Sequence, residues 1–440
     1  MANFFKATGK KQQLGQEAKI KIMRLDINGC GVGQHNKKPI FVDGTLPDET
    51  VQVKIIEQKN KYSRGKLIEV LSFSKQRVEA KCQHFLKCGG CDLQHMTPVA
   101  QLDFKQQKVS DLFARNNHVE TLPWQAPIVS QPWHYRRKAR IGVQYDKTGQ
   151  ATIGFRQRGS NHLINIKNCP VLVNPVDDFF LPLRVLLKKL SGKNAIGHIE
   201  VIATEKIMVV VRQLEILTQQ DKRHWQEFSR NFSCNVLFDL GKEIISLEES
   251  TPEKLAYVLD KNIHISFSAD NFIQVNHEVN KMMITQALQW LKLNEQDVVL
   301  DLFCGLGNFS LPIAKKVAQV VGIEGVDLMV KNAHKNALKN GLNNCEFYQA
   351  DLNSLWQREL WANKKYTKLL LDPARAGAYQ ALQQLVHLNI ERVLYVSCDP
   401  ATLAKDSELL LAQGYRIEKI SLMDMFSQTK HIETMVLFVK

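Results

Sequence analysis

From residue 271 to the end of the chain, short apolar runs alternate with helical stretches, and few folds accommodate that rhythm. The runs are "DVVLDLF", "VVGIEG", "CEFYQAD", "TKLLLDPA", "RVLYVSC" and "ETMVLFVK"; between them lie stretches such as "VDLMVKNAHKNALKNG" and "PATLAKDSELLLAQG". Both of those stretches end at a glycine, the residue best suited to the left-handed position just past a helix. Strand and helix in alternation predict a parallel sheet covered on both faces, of Rossmann-like α/β type. Ligands of such sheets sit at the carboxyl ends of the strands.

The preceding 270 residues read differently. In residues 1–74, apolar runs broken by turn signals predict a small OB-like β-barrel, with Lys54, Lys59, Lys61, Arg64 and Lys66 crowding one hairpin. This stretch resembles a TRAM domain, an OB-like barrel carried by RNA-modifying enzymes. Residues 75–270 read as a central β-rich domain containing a cysteine cluster, and 271–440 as the third part of a multidomain α/β protein. At 440 residues the chain has room for two or three cores.

The net charge of +14 is unevenly distributed. Residues 1–74 carry 13 Lys and Arg against 7 acids, residues 75–170 carry 15 against 6, and the rest carry 30 against 31. A basic front on a neutral body predicts a polyanion partner, RNA above all. Arg136, Arg137, Lys138, Arg140, Arg156 and Arg158 make the densest segment, expected to line a groove for a phosphate backbone. The start "MANFFKATGKKQQLGQ" has no apolar leader and no later run approaches a membrane span, so a cytoplasmic protein without a membrane partner is expected. A monomer is expected.

In "VVLDLFCGLGNFSLPIAKKV" a buried strand ends at Asp301 and is followed by a turn bearing Gly305 and Gly307, then a helix. Glu324 ends the next strand, where an acid can take the ribose hydroxyls of an adenosine cofactor. The spacing is neither G-x-G-x-x-G nor a phosphate-binding loop with Lys-Ser/Thr. A turn with few glycines, flanked by acids, suits a cationic ligand such as S-adenosyl-L-methionine. Asp351 and Asp372 also come directly after strands.

The residues after Asp372 bear on the choice of atom to be methylated. Pro373, Ala374 and Arg375 provide no aromatic to stack an extruded amine-bearing base. Methylation of a pyrimidine at C5 instead needs a nucleophile that adds to C6, and a thiolate suits that addition. Cys398 ends a strand ahead of an Asp-Pro turn and a helix start, where the helix dipole favours a thiolate. Removal of the C5 proton needs a base; Glu433 is the candidate and His431 its competitor.

These residues resemble the RNA uracil-C5-methyltransferases. The matching stretches are "FIQVN" (272–276), "DLFCGLGNFS" (301–310), "GIE" (322–324), "LLLDPARAG" (369–377), "VSCDPATLAKD" (396–406) and "HIETMVLF" (431–438). The resemblance implies that Gln274, Phe303, Asn308, Glu324, Asp351 and Asp372 contact S-adenosyl-L-methionine, with Cys398 as nucleophile and Glu433 as base. The fourth strand ends in Asp-Pro-Ala where a cytosine-C5 enzyme typically has Pro-Cys, which favours uracil.

"CQHFLKCGGC" places Cys82, Cys88 and Cys91 as C-x5-C-x2-C, with Cys169 far downstream in "NCP". The pattern fits a 4Fe-4S cluster, with zinc as the alternative. Among uracil methyltransferases the cluster marks the ribosomal RNA branch, so the implied partner is 23S ribosomal RNA, entered at a looped segment with a flipped uridine. Rival readings are the same chemistry on transfer RNA, and an RNA-binding assembly factor that retained the fold without activity.

Overall fold

The computed structural model describes residues 14–192, 194–247, 255–260, 263–356 and 359–440. Residues 1–13, most of the start read as lacking an apolar leader, lie outside the described residues. The chain forms two compact units, one reaching to Phe104 and including Gln428–Lys430, the other comprising Lys105–Ser427 and His431–Lys440.

In the first unit, β1 (Glu17–Leu25), β2 (Gly31–His35), β3 (Lys38–Val42), β4 (Thr50–Gln58) and β5 (Ser63–Ser72) close into a barrel of order β1-β2-β3-β5-β4. Alternation decides which side chains fill it: Ile20, Ile22, Val51, Val53 and Ile55 point inward and are almost fully buried. The parallel pairing of β3 with β5, Ile40 opposite Ser63, completes the closure. All five cations of the basic hairpin are exposed, as expected from the sequence. Buried Glu49 accepts hydrogen bonds from the Leu46 amide at 2.8 Å and from Arg77 Nε at 2.5 Å, tying the chain after β5 to the barrel.

A helix, α1 (Pro98–Asn117), leads to the second unit, whose first sheet contains β6 (Lys138–Tyr145), β7 (Ala151–Arg156) and β8 (Leu163–Asn165). After α2 (Asn174–Asp177) and α3 (Phe180–Lys189) come β9 (Ile196–Ala203), β10 (Ile207–Gln213), α4 (Gln219–Asn231), β11 (Cys234–Asp239) and β12 (Ile244–Ser246). The seven strands lie in the order β12-β11-β10-β9-β6-β7-β8. The β-rich reading of this region holds for the strands but omits the three helices. Their apolar faces cover the sheet, with Phe180, Leu183, Leu187, Trp225 and Phe228 in its core. The cation-rich segment also departs from expectation, because Arg137 turns inward and is only 5% exposed.

A hairpin of β13 (Leu255–Asp260) and β14 (Ile263–Phe267) precedes α5 (His277–Leu291). The last sheet then forms from β15 (Val298–Leu302), α6 (Ser310–Ala314), β16 (Gln319–Glu324), α7 (Asp327–Lys339), β17 (Cys345–Gln349), β18 (Lys368–Leu371), α8 (Tyr379–Gln384), β19 (Arg392–Ser397), α9 (Pro400–Ala412), β20 (Arg416–Met423) and β21 (Glu433–Val439). Its order is β17-β16-β15-β18-β19-β21-β20. The first five strands are parallel, while β21 runs antiparallel to both β19 and β20. Gly341 and Gly414 come just after α7 and α9 with φ of +68° and +88°, the left-handed stop read from the sequence. Strand order reverses between β15 and β18, which opens a crevice at their carboxyl ends.

The central and last sheets, assigned to separate domains at the sequence level, fall within one compact unit. One apolar cluster joins them, running from Ile202, Met208 and Leu237 to Val299, Leu370 and Leu437. Among the described residues, no helix is long and apolar enough to cross a membrane.

Candidate active site

At that crevice the second unit holds a cavity of about 480 Å³. The turn after β15 contributes Phe303 to Leu306 and Asn308, the end of β16 Glu324, and the loop after β18 Asp372 to Arg375. Cys398 lies just past β19, Glu433 opens β21, and Phe272, Ile273 and Gln274 enter ahead of α5. The predicted residues are thus brought together from six separate segments, with one exception. Asp351 is exposed and does not line the cavity; its carboxylate accepts the Asn353 amide at 3.0 Å and the Ser354 hydroxyl at 3.1 Å.

The turn after β15 is shaped by positive φ at Phe303 (62°), Gly305 (57°) and Gly307 (90°). Such angles suit glycine, and Phe303 adopts one at a steric cost. The Gly305 amide donates to Glu324 Oε2 at 3.2 Å, linking the turn to the end of β16. The Asn308 amide exchanges hydrogen bonds with Asn280 at 3.0 Å in both directions, and its oxygen also accepts from the Tyr257 hydroxyl at 3.2 Å.

Acids dominate the electrostatics. Asp301 is 1% exposed; its Oδ2 accepts from Ser310, and its Oδ1 has no hydrogen-bond partner among the described residues. Burial pushes its carboxyl up to about 7, against the Ser310 hydrogen bond and with the Asp372 and Glu324 charges adding to the rise. Burial alone raises Asp372 to about 7. Glu433 is raised well above the usual carboxylate range by burial and by Asp372, with Arg375 opposing. Buried acids in this number, one with an orphaned oxygen, fit a cationic ligand, because a positive charge would relieve both desolvation and mutual repulsion. Gln274, Phe303, Asn308, Glu324 and Asp372 all line the wall of this cavity.

Cys398 is partly buried, and its thiol is pushed up to about 12 by desolvation and by the charges of Glu433 and Asp372, while Arg375 lowers it. Asp399 caps α9, accepting the Ala401 and Thr402 amides at 2.9 and 3.1 Å, with Pro400 at the first helical position. That cap fixes the chain direction immediately after the thiol. Buried Asp406 accepts the Tyr395 hydroxyl at 2.7 Å and the Ala378 amide at 2.6 Å, joining β19, α9 and the loop that carries Arg375. Both candidate bases line the cavity, Glu433 buried and His431 exposed.

Several wall residues escape the sequence reading. Arg375 enters it only as a non-aromatic neighbour of Asp372, yet it is the cation that acts on both Cys398 and Glu433. Aromatic surface comes from elsewhere: Phe272 is 65% exposed at the rim and Phe426 lies near His431. The signal for Phe272 is its place within "FIQVN", two residues before Gln274.

In the first unit, burial raises the Cys91 thiol to about 12, Gln94 opposes that, and Cys88 and Cys82 lie close enough to add repulsion. The Gly90 amide donates to Cys88 Sγ at 3.4 Å. In the second unit the Cys169 amide donates to Asp177 at 2.5 Å. None of the four is in a disulfide. Among the described residues, no group of three or more His, Cys, Asp or Glu is arranged to hold a metal ion.

The model of the tRNA (uracil-5-)-methyltransferase family matches residues 97–440, and that of the TRAM domain matches residues 11–68. The 23S rRNA (uracil(1939)-C(5))-methyltransferase RlmD of Colwellia psychrerythraea is 52% identical over 100% of this chain and 99% of its own. Its counterpart from Vibrio cholerae is 43% identical over the whole of both chains. Among solved structures, the Pyrococcus abyssi tRNA (uracil-54, C5)-methyltransferase in complex with S-adenosyl-L-homocysteine shares the fold, with a TM-score of 0.74 at 21% identity, covering 96% of this chain and 100% of that one. The sheet order, the cavity at its switch point and these matches lead to one conclusion: the chain belongs to the tRNA (uracil-5-)-methyltransferase family and carries a TRAM domain at its front.

Proposed function

We propose that the protein methylates C5 of a uridine in 23S ribosomal RNA, the uracil-1939 position in the names of its relatives, with S-adenosyl-L-methionine as donor. The observation that carries this reading is the gathering of Cys398, Glu433 and Arg375 into one acid-rich cavity. When bound, the donor supplies an electrophilic methyl group. Gln274, Phe303, Asn308, Glu324 and Asp372 hold it, and the resemblance adds Asp351 from outside the cavity wall.

The uridine must leave its stack for C6 to be reached, so the RNA presents it flipped. Cys398 gives up its proton to solvent and adds through sulfur to C6, and the electron pair of the C5–C6 double bond moves toward C5 and the O4 carbonyl. C5 then forms its bond to the methyl carbon as the methyl–sulfonium bond breaks, the electron pair of that bond staying on sulfur in the departing S-adenosyl-L-homocysteine. Glu433 takes the C5 proton, the double bond reforms, and the C6–sulfur bond breaks to return the thiolate. Arg375 steadies the negative charge that passes between Cys398 and the base. Buried Glu433 is favoured over exposed His431, because the thiol feels the charge of Glu433 directly.

We further propose that Cys82, Cys88, Cys91 and Cys169 hold a 4Fe-4S cluster, with zinc the alternative. The C-x5-C-x2-C spacing of Cys82, Cys88 and Cys91 is what supports it. Residues 1–74, 75–270 and 271–440 then serve as RNA-binding barrel, cluster-bearing RNA platform and catalytic domain of a cytoplasmic monomer.

The test is methyl transfer from labelled donor to unmodified 23S RNA. One uridine should gain one methyl group at C5; transfer to isolated tRNA at an equal rate counts against the ribosomal substrate.

A further inference from the structure

A second cavity, about 550 Å³, adjoins the first within the same unit. The two share Tyr257, and one segment serves both: Phe272, Ile273 and Gln274 line the cavity of Cys398, while Asn276, His277 and Glu278 line its neighbour. Gln274 and Asn276 are at most about 7 Å apart along the chain, so the cavities lie within reach of adjacent nucleotides on one strand.

The second cavity contains a charge that nothing in the first explains. Arg137 is 5% exposed and, among the described residues, faces no carboxylate within hydrogen-bond reach. Its Nε donates to the Gln274 carbonyl at 3.0 Å, its Nη1 to His277 Nδ1 at 3.1 Å, and its guanidinium lies 4.6 Å above the Tyr257 ring. The remaining nitrogen, Nη2, has no hydrogen-bond partner among the described residues. A buried guanidinium with an unsatisfied N–H donor is costly unless a ligand completes it. Because arginine only donates, His277 Nδ1 must accept, which leaves the ring proton on Nε2. Burial and the neighbouring Arg137 charge lower His277 to about 4, which keeps the ring neutral with that single donor.

The remaining lining indicates what kind of acceptor fits. Trp133, Val173, Pro175 and Val258 give flat apolar surface, while Glu205 and Glu278 disfavour a phosphate and can accept from amino groups. We propose that this cavity takes the base of a nucleotide neighbouring the target uridine on the same RNA strand, stacked on Trp133 and hydrogen-bonded by Arg137 and His277. The proposal rests on the uridine-methylation reading above. It gives Arg137 a task that the expected phosphate groove does not, since a side chain this buried cannot track a backbone.

The test uses the full chain and synthetic fragments of the 23S RNA segment around the target, each with an abasic residue at one of the flanking positions. With the wild type, one such position should raise KM by about 10- to 100-fold, the range that loss of one stacked base predicts. In Trp133→Ala, KM for the intact fragment should rise comparably and the abasic penalty at that position should fall below about threefold, with affinity for S-adenosyl-L-homocysteine unchanged. His277→Gln provides a second variant with the same expected pattern. Methylation insensitive to every abasic position, or an undiminished penalty in both variants, overturns the second site. Sensitivity to a methylphosphonate but not to base removal overturns it in favour of a phosphate. Failure of the wild type to methylate C5 of the intact fragment is a separate result, and it sinks the functional reading itself.

Discussion

At the scale of single residues, protonation states set what the site can do before a substrate arrives. Cys398 is legible from its motif, but its state depends on Glu433 and Asp372, which reach it from other strands, and no local sequence encodes that crowding. Burial and those two charges push the thiol up to about 12, which favours its protonated form, while Arg375 pulls toward the thiolate. Replacing the base while keeping the nucleophile should stall the reaction after methyl transfer. Glu433→Gln is therefore expected to accumulate a covalent protein–RNA complex on ordinary uridine, read on a denaturing gel; rapid turnover by this variant would assign the base elsewhere. The buried acids make a further prediction. Asp301 and Asp372 sit near 7 in the fold against about 4 in an unfolded chain, so the folded state binds the extra protons. Their contribution to stability is full below about pH 4 and is lost as pH rises through about 7. A cationic ligand reverses the trend, so the rise in Tm produced by S-adenosyl-L-methionine should grow from pH 6 to pH 8. S-adenosyl-L-homocysteine lacks the sulfonium charge and should show less growth.

At the scale of elements, the parallel strands β15 to β19 are legible because buried parallel strands are continuous apolar runs. The antiparallel β21 reads as a strand, but its direction is set by pairing and leaves no mark in a short apolar run. Of the helices in the central region, α2, α3 and α4 escape the sequence for a related reason: "FLPLRVLLKK" of α3 is only ten residues long and largely apolar, and its packing against β7 settles its type. The Asp399 cap joins element to function, because it starts α9 one residue after Cys398. Asp399→Ala should cost about 1 kcal/mol of stability, the usual value of an N-cap side chain. It should also lower kcat more than KM, because donor binding uses other residues. A proportionate loss in both would mean that the cap supports the fold alone.

At the scale of the whole molecule, the charge asymmetry read from composition is realised as an exposed basic hairpin on the barrel. Lys54, Lys61 and Lys66 all changed to alanine should weaken RNA binding across sequences and reduce the slope of log affinity against log salt by about 2, from roughly 0.7 for each phosphate left without its cation. An unchanged slope would mean that the hairpin does not touch RNA. The basic segment at 136–140 reads differently in three dimensions, since composition cannot distinguish an exposed arginine from Arg137, held under Gln274 and Tyr257. Cysteine spacing likewise proposes a cluster whose nature only elemental assay can decide: protein purified without oxygen should contain iron and sulfide, and stoichiometric zinc without iron would replace that assignment. The central claim remains that Cys398 forms a bond to C6 of a uridine. RNA carrying 5-fluorouridine at the target, incubated with S-adenosyl-L-methionine, should become covalently attached to the wild-type protein because the C5 fluorine cannot leave as a proton does. The complex should be absent with Cys398→Ala; a complex that persists in that variant contradicts the assignment of the nucleophile.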